Sequence, residues 1–68
     1  MEFKWLEDPQ GNHLLCLIRD RCLFSCGRLS PEDKGVRFWY PFPKGEPQEV
    51  CGDLEIARYY CEMMARLS

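Results

Sequence analysis

The sequence predicts an α+β fold in which a small antiparallel sheet of three to four strands is packed by one C-terminal α-helix. The chain has 68 residues, so we expect a single domain over residues 1–68. Its first two thirds alternate short aromatic or apolar runs with clusters of turn-forming residues, which is typical of strands. The final segment instead has a helical period.

The first strand is predicted at residues 2–7, which contain Phe3 and Trp5 in partial alternation with charged residues. The turn formers Pro9, Gly11 and Asn12 follow it. Proline presets the backbone for a turn, and glycine and asparagine tolerate positive φ. This segment therefore predicts a reversal of the chain after the first strand.

Residues 13–29 permit two interpretations. Residues 13–19 are apolar on both alternating sets, and residues 21–29 continue with Cys22, Phe24 and Cys26 on one side and Leu23 and Ser25 on the other. This pattern favours two strands joined in a hairpin near Asp20. The alternative is one helix over residues 13–27, capped by Asn12 and ended by Gly27. Such short apolar runs do not separate the two by period alone. We favour the hairpin.

The clearest strand is predicted at residues 36–42, after a polar turn at residues 30–35. Aromatic and β-branched residues fit a pleated surface. Alternation places Phe38 and Tyr40 on one face and Trp39 on the other. Pro41 and Pro43 end the strand or mark an edge, since proline donates no backbone hydrogen bond.

The C-terminal helix is predicted at residues 54–67, with Asp53 as its N-cap. Ala57, Cys61 and Met64 form an apolar stripe at helical spacing, together with Tyr60. The predicted element order is β-β-β-β-α.

One helix covers one face of a sheet, yet at least two predicted strands are apolar on both faces. We therefore expect Trp39 and some leucines to face solvent, where apolar patches mark interaction sites. Trp, Tyr and Arg are enriched in such sites. The predicted partner-binding residues are Arg19, Arg21, Arg37, Trp39 and Tyr40. We expect a protein partner, with a homodimer as another use of the same surface.

Composition excludes several classes of function. Nine Lys and Arg residues are interleaved with eleven Asp and Glu residues, for a net charge of −2, which argues against nucleic-acid binding. The longest apolar run, residues 14–18, is far too short to span a membrane. The first residues lack the pattern of a signal peptide. These observations predict a cytoplasmic location.

Five cysteines in 68 residues are many for a chain expected in the cytoplasm, where thiols stay reduced. We interpret them as buried apolar residues and predict no cofactor. One alternative is a zinc-stabilised domain, with ligands His13, Cys16, Cys22 and Cys26. Another is a thiol enzyme or redox protein acting through Cys51 near the helix N-terminus. Because no nucleophile has an evident base and orienting group, we expect no enzymatic activity.

The strand with Trp5, the run Phe38-Trp39-Tyr40 and the helix start Gly52-Asp53-Leu54-Glu55 form a pattern that spans the chain. It resembles the small accessory proteins of bacteriophages and mobile elements, among them anti-CRISPR proteins and inhibitors of host enzymes. The resemblance implies a non-enzymatic inhibitor that sterically blocks a host or defence complex in the host cytoplasm. Anti-CRISPR proteins share no common sequence, so the resemblance assigns no functional residue.

Overall fold

A computed structural model describes residues 2–67 and shows a five-stranded antiparallel sheet packed by one C-terminal helix. The strands follow one another in the sheet in chain order. Their bounds are β1 Glu2–Glu7, β2 His13–Arg19, β3 Cys22–Leu29, β4 Val36–Pro41 and β5 Gln48–Cys51, and the helix α1 is Leu54–Leu67. The predicted α+β class is confirmed, but the sheet has five strands rather than three to four.

The additional strand is β5, which pairs with β4 from Val36↔Cys51 to Trp39↔Gln48. It has only four residues, and Val50 is its one buried side chain. So short a segment carries little periodic signal. This segment forms a strand because it runs along the edge of β4 that β3 leaves unpaired, just before the helix begins.

The chain between residues 13 and 29 is a hairpin, so the helical alternative is wrong. Asp20 and Arg21 form the two-residue turn and both have positive φ, at 51° and 65°. Such a turn matches the twist of the flanking strands. A non-glycine residue at positive φ is uncommon, and arginine is strained there.

The predicted turn before β2 is organised by the carboxylate of Asp8. Its Oδ1 accepts hydrogen bonds from the backbone N–H groups of Gln10 and Asn12, both at 2.9 Å. Gly11 follows with a φ of 88°. Hydrogen bonds from Asn12 and Gln10 and the charge of Arg28 outweigh desolvation and lower the pKa of the Asp8 carboxyl. The turn is therefore stabilised by residues 8–12 themselves and is predictable from the local sequence.

Helix α1 begins as predicted. The Asp53 carboxylate accepts a hydrogen bond from the Ile56 N–H at 3.0 Å, which confirms Asp53 as the N-cap. Ala57 and Cys61 are fully buried against the sheet. The helix therefore covers one face of the sheet and leaves the other open.

The core lies between this helix and the covered face. It consists of Leu15, Leu29, Trp39, Val50, Ala57 and Cys61. The Trp39 ring meets Trp5 edge-on, with ring centroids 6.5 Å apart. A Cβ built on Gly27 would clash with the Trp39 ring, so only glycine allows this close approach.

No helix among residues 2–67 is long and apolar enough to cross a membrane.

Candidate functional site

One of the predicted contact residues lies in the core, and another is half-buried and hydrogen-bonded within the chain. Trp39 is only 2% exposed, so the expectation that it faces solvent is wrong. Alternation of β4 was predicted correctly, but the helix docks on the face that carries Trp39. Arg37 donates from Nε to the Gly52 carbonyl at 2.9 Å and from Nη1 to the Ser30 carbonyl at 3.1 Å. Its guanidinium therefore links β4 to the loop that follows β3 and to the loop that precedes the helix.

Tyr40 lies on the open face of the sheet and is half-buried. The Arg28 guanidinium lies over its ring, 4.1 Å from the centroid. Arg28 also donates to Asn12 Oδ1 at 2.9 Å, and Asn12 in turn is held by Asp8. Tyr40 is thus covered in part by the chain's own arginine.

Arg19 and Arg21 are both exposed at the tip of the β2–β3 hairpin. We call residues 19–25 the β2–β3 arm. Every residue of the arm is exposed, and Leu23 and Phe24 are 53% and 52% exposed on opposite faces of the strand. The arm is therefore apolar on both faces and cationic at its tip.

The arm also has a free edge, because β4 pairs with β3 only from Gly27 to Leu29. Arg19 and Cys22 flank the two-residue turn and form a hydrogen-bonded pair. Alternation then directs the backbone N–H and C=O groups of Leu23 and Ser25 away from β2. These groups are available to a further strand.

A hollow of about 250 Å³ adjoins this edge where β4 leaves β3. The backbone N–H of Phe42 donates to the Cys26 carbonyl at 3.0 Å and marks that point. The hollow is lined by Cys26, Trp39, Pro41, Phe42, Lys44, Gln48, Met64 and Ala65. The arm and this lining together carry three cations, Arg19, Arg21 and Lys44, against one carboxylate, Asp20.

The candidate zinc ligands His13, Cys16, Cys22 and Cys26 are not brought together. Among the described residues 2–67, no three His, Cys, Asp or Glu side chains are placed to hold a metal ion. His13 and Cys16 are three residues apart in β2, whose pairing with β1 is unbroken through both, so they lie on opposite faces of the strand. Cys22 is exposed in the arm. The spacing in sequence therefore does not produce a tetrahedral site.

His13 is 6% exposed and faces the helix. The Nη2 of Arg58 lies 3.0 Å from His13 Nδ1, which accepts its hydrogen bond. Arg58 also lies over the Trp5 ring, 5.3 Å from the centroid, and its Nε is buried without a hydrogen-bond partner. The Trp5 Nε1–H donates to Glu62 at 2.8 Å. This polar cluster joins β1 and β2 to the helix.

The thiols offer no assembled catalytic group. Burial raises the pKa of Cys61 to about 12, and the neighbouring Glu62 charge adds to this effect. Desolvation also raises the pKa of Cys26. Cys51 is exposed, but its Sγ faces the Asp53 carbonyl at 3.8 Å, while His13 is occupied by Arg58. Cys51, the candidate thiol of the enzymatic or redox alternative, thus contacts a carbonyl, and the histidine of the chain contacts an arginine instead.

The sequence predicts Arg19 and Arg21 as contact residues, and both are exposed, but it does not single out Leu23, Phe24 and Lys44. Their exposure follows from the point at which β4 ends, which Pro41 signals only in part. Comparison of the chain with protein-family models, curated proteins and solved structures finds no match.

Proposed function

We propose that this chain is a non-enzymatic protein-binding module that attaches to its partner through the β2–β3 arm. The observation that carries the proposal is the free edge at Leu23 and Ser25, on an arm that is exposed on both faces. An exposed strand edge with apolar side chains is a template for pairing with another chain.

The chemistry of the arm defines its partner. The partner offers an extended strand, because main-chain groups at the free edge need main-chain groups opposite them. It carries acidic residues, because Arg19, Arg21 and Lys44 outnumber Asp20 around the site. An apolar side chain on that strand fills the hollow beside Phe42.

Binding of this kind acts by occupying a surface and needs neither turnover nor a cofactor. It suits the inhibitor role that the resemblance to anti-CRISPR and host-inhibitor proteins implies. In that role, the chain covers a strand edge or an acidic segment of a host or defence complex, in the cytoplasm of a host cell if a phage encodes it.

The test is selection of linear peptides from a random display library on the immobilised full chain, followed by affinity measurement. We expect enriched peptides with acidic residues beside an apolar one. The double variant Arg19→Glu/Arg21→Glu should weaken their binding at least about tenfold. Lys34→Glu is the matched control, because Lys34 is a cation on another two-residue turn, and it should bind as the parent does.

Hydrogen exchange gives a second readout. The amides of Leu23 and Ser25 should exchange fast in the free chain and become protected with peptide bound, because their N–H groups then donate to the added strand. Peptides that bind the arginine double variant unchanged, or that protect only helix amides, would overturn the assignment to the arm.

A further inference from the structure

Helix α1 carries a second apolar stripe, which lies beside the packed face on the side of β5. Ile56 and Leu67 are 60% and 81% exposed, and Tyr59, Tyr60 and Met63 are exposed as well. A helix that packs on one sheet needs one apolar stripe, which Ala57 and Cys61 already provide. Tyr60 also donates from its hydroxyl to Gln48 Oε1 of β5 at 3.2 Å, but Ile56, Met63 and Leu67 leave their apolar surface largely exposed.

The geometry of the stripe is that of a helix–helix seam. With successive residues about 100° apart, Ile56, Tyr60, Met63 and Leu67 fall within about 60° of arc. We call these four residues the outer stripe. A depression of about 280 Å³ borders it beside β5, between Val50 and Tyr60. A protruding side chain from an opposing helix has room there.

The charged residues beside the outer stripe indicate which partner binds this surface. Glu55 in the first turn and Arg66 in the last turn are exposed on one flank of the outer stripe. An antiparallel second copy places its Arg66 beside Glu55 and its Glu55 beside Arg66, so that the attraction occurs twice. A parallel copy would instead place these two flanks on opposite sides of the seam, so that neither attraction would form. The antiparallel arrangement also opposes the two helix dipoles favourably.

The apolar residues fit the same antiparallel arrangement, with a two-fold axis one residue beyond the midpoint of Glu55 and Arg66. A two-fold axis between residues 61 and 62 places Ile56 opposite Leu67 of the second copy and Tyr60 opposite Met63 of the second copy. An interface about a two-fold axis needs this self-complementarity. We propose that the chain forms a symmetric homodimer in which the outer stripes of two antiparallel α1 helices pack together.

Sedimentation equilibrium of the full chain over a wide concentration range tests the dimer, with reductant present because Cys22 and Cys51 are exposed. We expect a monomer–dimer equilibrium. Met63→Glu places a charge near the two-fold axis and should raise the dimer Kd at least about tenfold. Leu23→Glu is the matched control in the arm and should leave the Kd unchanged.

A charge exchange tests the antiparallel orientation. Glu55→Arg should weaken the dimer by placing two cations together, and Glu55→Arg/Arg66→Glu should restore it. Arg66 also lies over the Phe3 ring at 5.1 Å, so thermal melts must show that both variants fold.

A chain that stays monomeric at every concentration overturns the proposal. A dimer that Leu23→Glu disrupts and Met63→Glu does not overturns the assignment to the helix. Failure of the double exchange to restore a dimer that Glu55→Arg weakens overturns the antiparallel orientation. The arm proposal is measured separately with peptides, so either proposal can fail alone.

Discussion

The two halves of strand β3 have opposite environments. Gly27 and Leu29 are buried between neighbouring strands and below the helix, whereas residues 22–25 are exposed on both faces and one edge. The exposed half, with Leu23 and Phe24, is the more apolar one. Burial in β3 is therefore determined by where β4 and the helix end, and not by the hydrophobicity of the strand itself.

This difference assigns the two halves of β3 different roles: the packed half stabilises the fold, and the exposed half is available for binding. The packed half holds Trp39 against Gly27 and supports the fold. Substitutions in the exposed half would remove few contacts that stabilise the fold, because its side chains lie at the surface. Substitutions in the two halves should consequently have unequal effects on the free energy of unfolding.

The largest difference is expected between Trp39→Ala and Phe24→Ala. Removing the buried Trp39 ring should cost about 3–5 kcal/mol, which is as much as a domain of this size usually has in total. Phe24→Ala should cost about 0.5 kcal/mol or less, since the ring lies on the surface. Urea unfolding followed by circular dichroism measures both. Similar losses in the two variants would contradict the separation.

A smaller decrease in the free energy of unfolding is expected at acidic pH. Desolvation and the charge of Arg58 lower the pKa of His13 from its ordinary value of 6.5, with Arg37 acting in the same direction and Glu7 and Asp8 opposing it. The unfolded chain then binds a proton more readily than the folded chain. Stability is full above about pH 6.5 and falls as the pH drops below it, by up to about 1.4 kcal/mol per unit.

Urea unfolding between about pH 7.5 and pH 5 measures this loss, because His13 is the only histidine of the chain. His13→Gln keeps an acceptor for Arg58 but does not titrate, so its stability should change less over the same range. Equal slopes for the two proteins would show that His13 is not the titrating group.

The smallest effect is expected in the arm. Arg21 has a φ of 65°, and Arg21→Gly should stabilise the chain by about 0.5–1 kcal/mol because glycine adopts this conformation without strain. Arg19→Gly, in the adjoining strand, should destabilise it by a similar amount. Thermal melts compare the two, and a loss of stability in Arg21→Gly would mean that the turn is not strained.

Several elements were predicted from the sequence because their causes are local. Asp53 caps the helix with its own side chain, and Asp8 and Gly11 make their turn within five residues. The apolar alternation also favours the hairpin over residues 13–29, whose turn lies at Asp20 and Arg21. The sequence predicts the candidate site only in part: Arg19 and Arg21 are exposed in the arm, whereas Trp39 lies in the core and Arg37 is half-buried.

The sequence by itself determined the α+β class, the face alternation of β4 and the position of the helix. Only the tertiary structure decided that the helix docks on the Trp39 face, that Gln48–Cys51 becomes a fifth strand, and that β4 ends early enough to leave the arm free. Alternation and capping act between neighbours in the chain. The choice of face depends on Ala57 and Cys61 packing against strands far away in sequence, a choice that no local pattern contains.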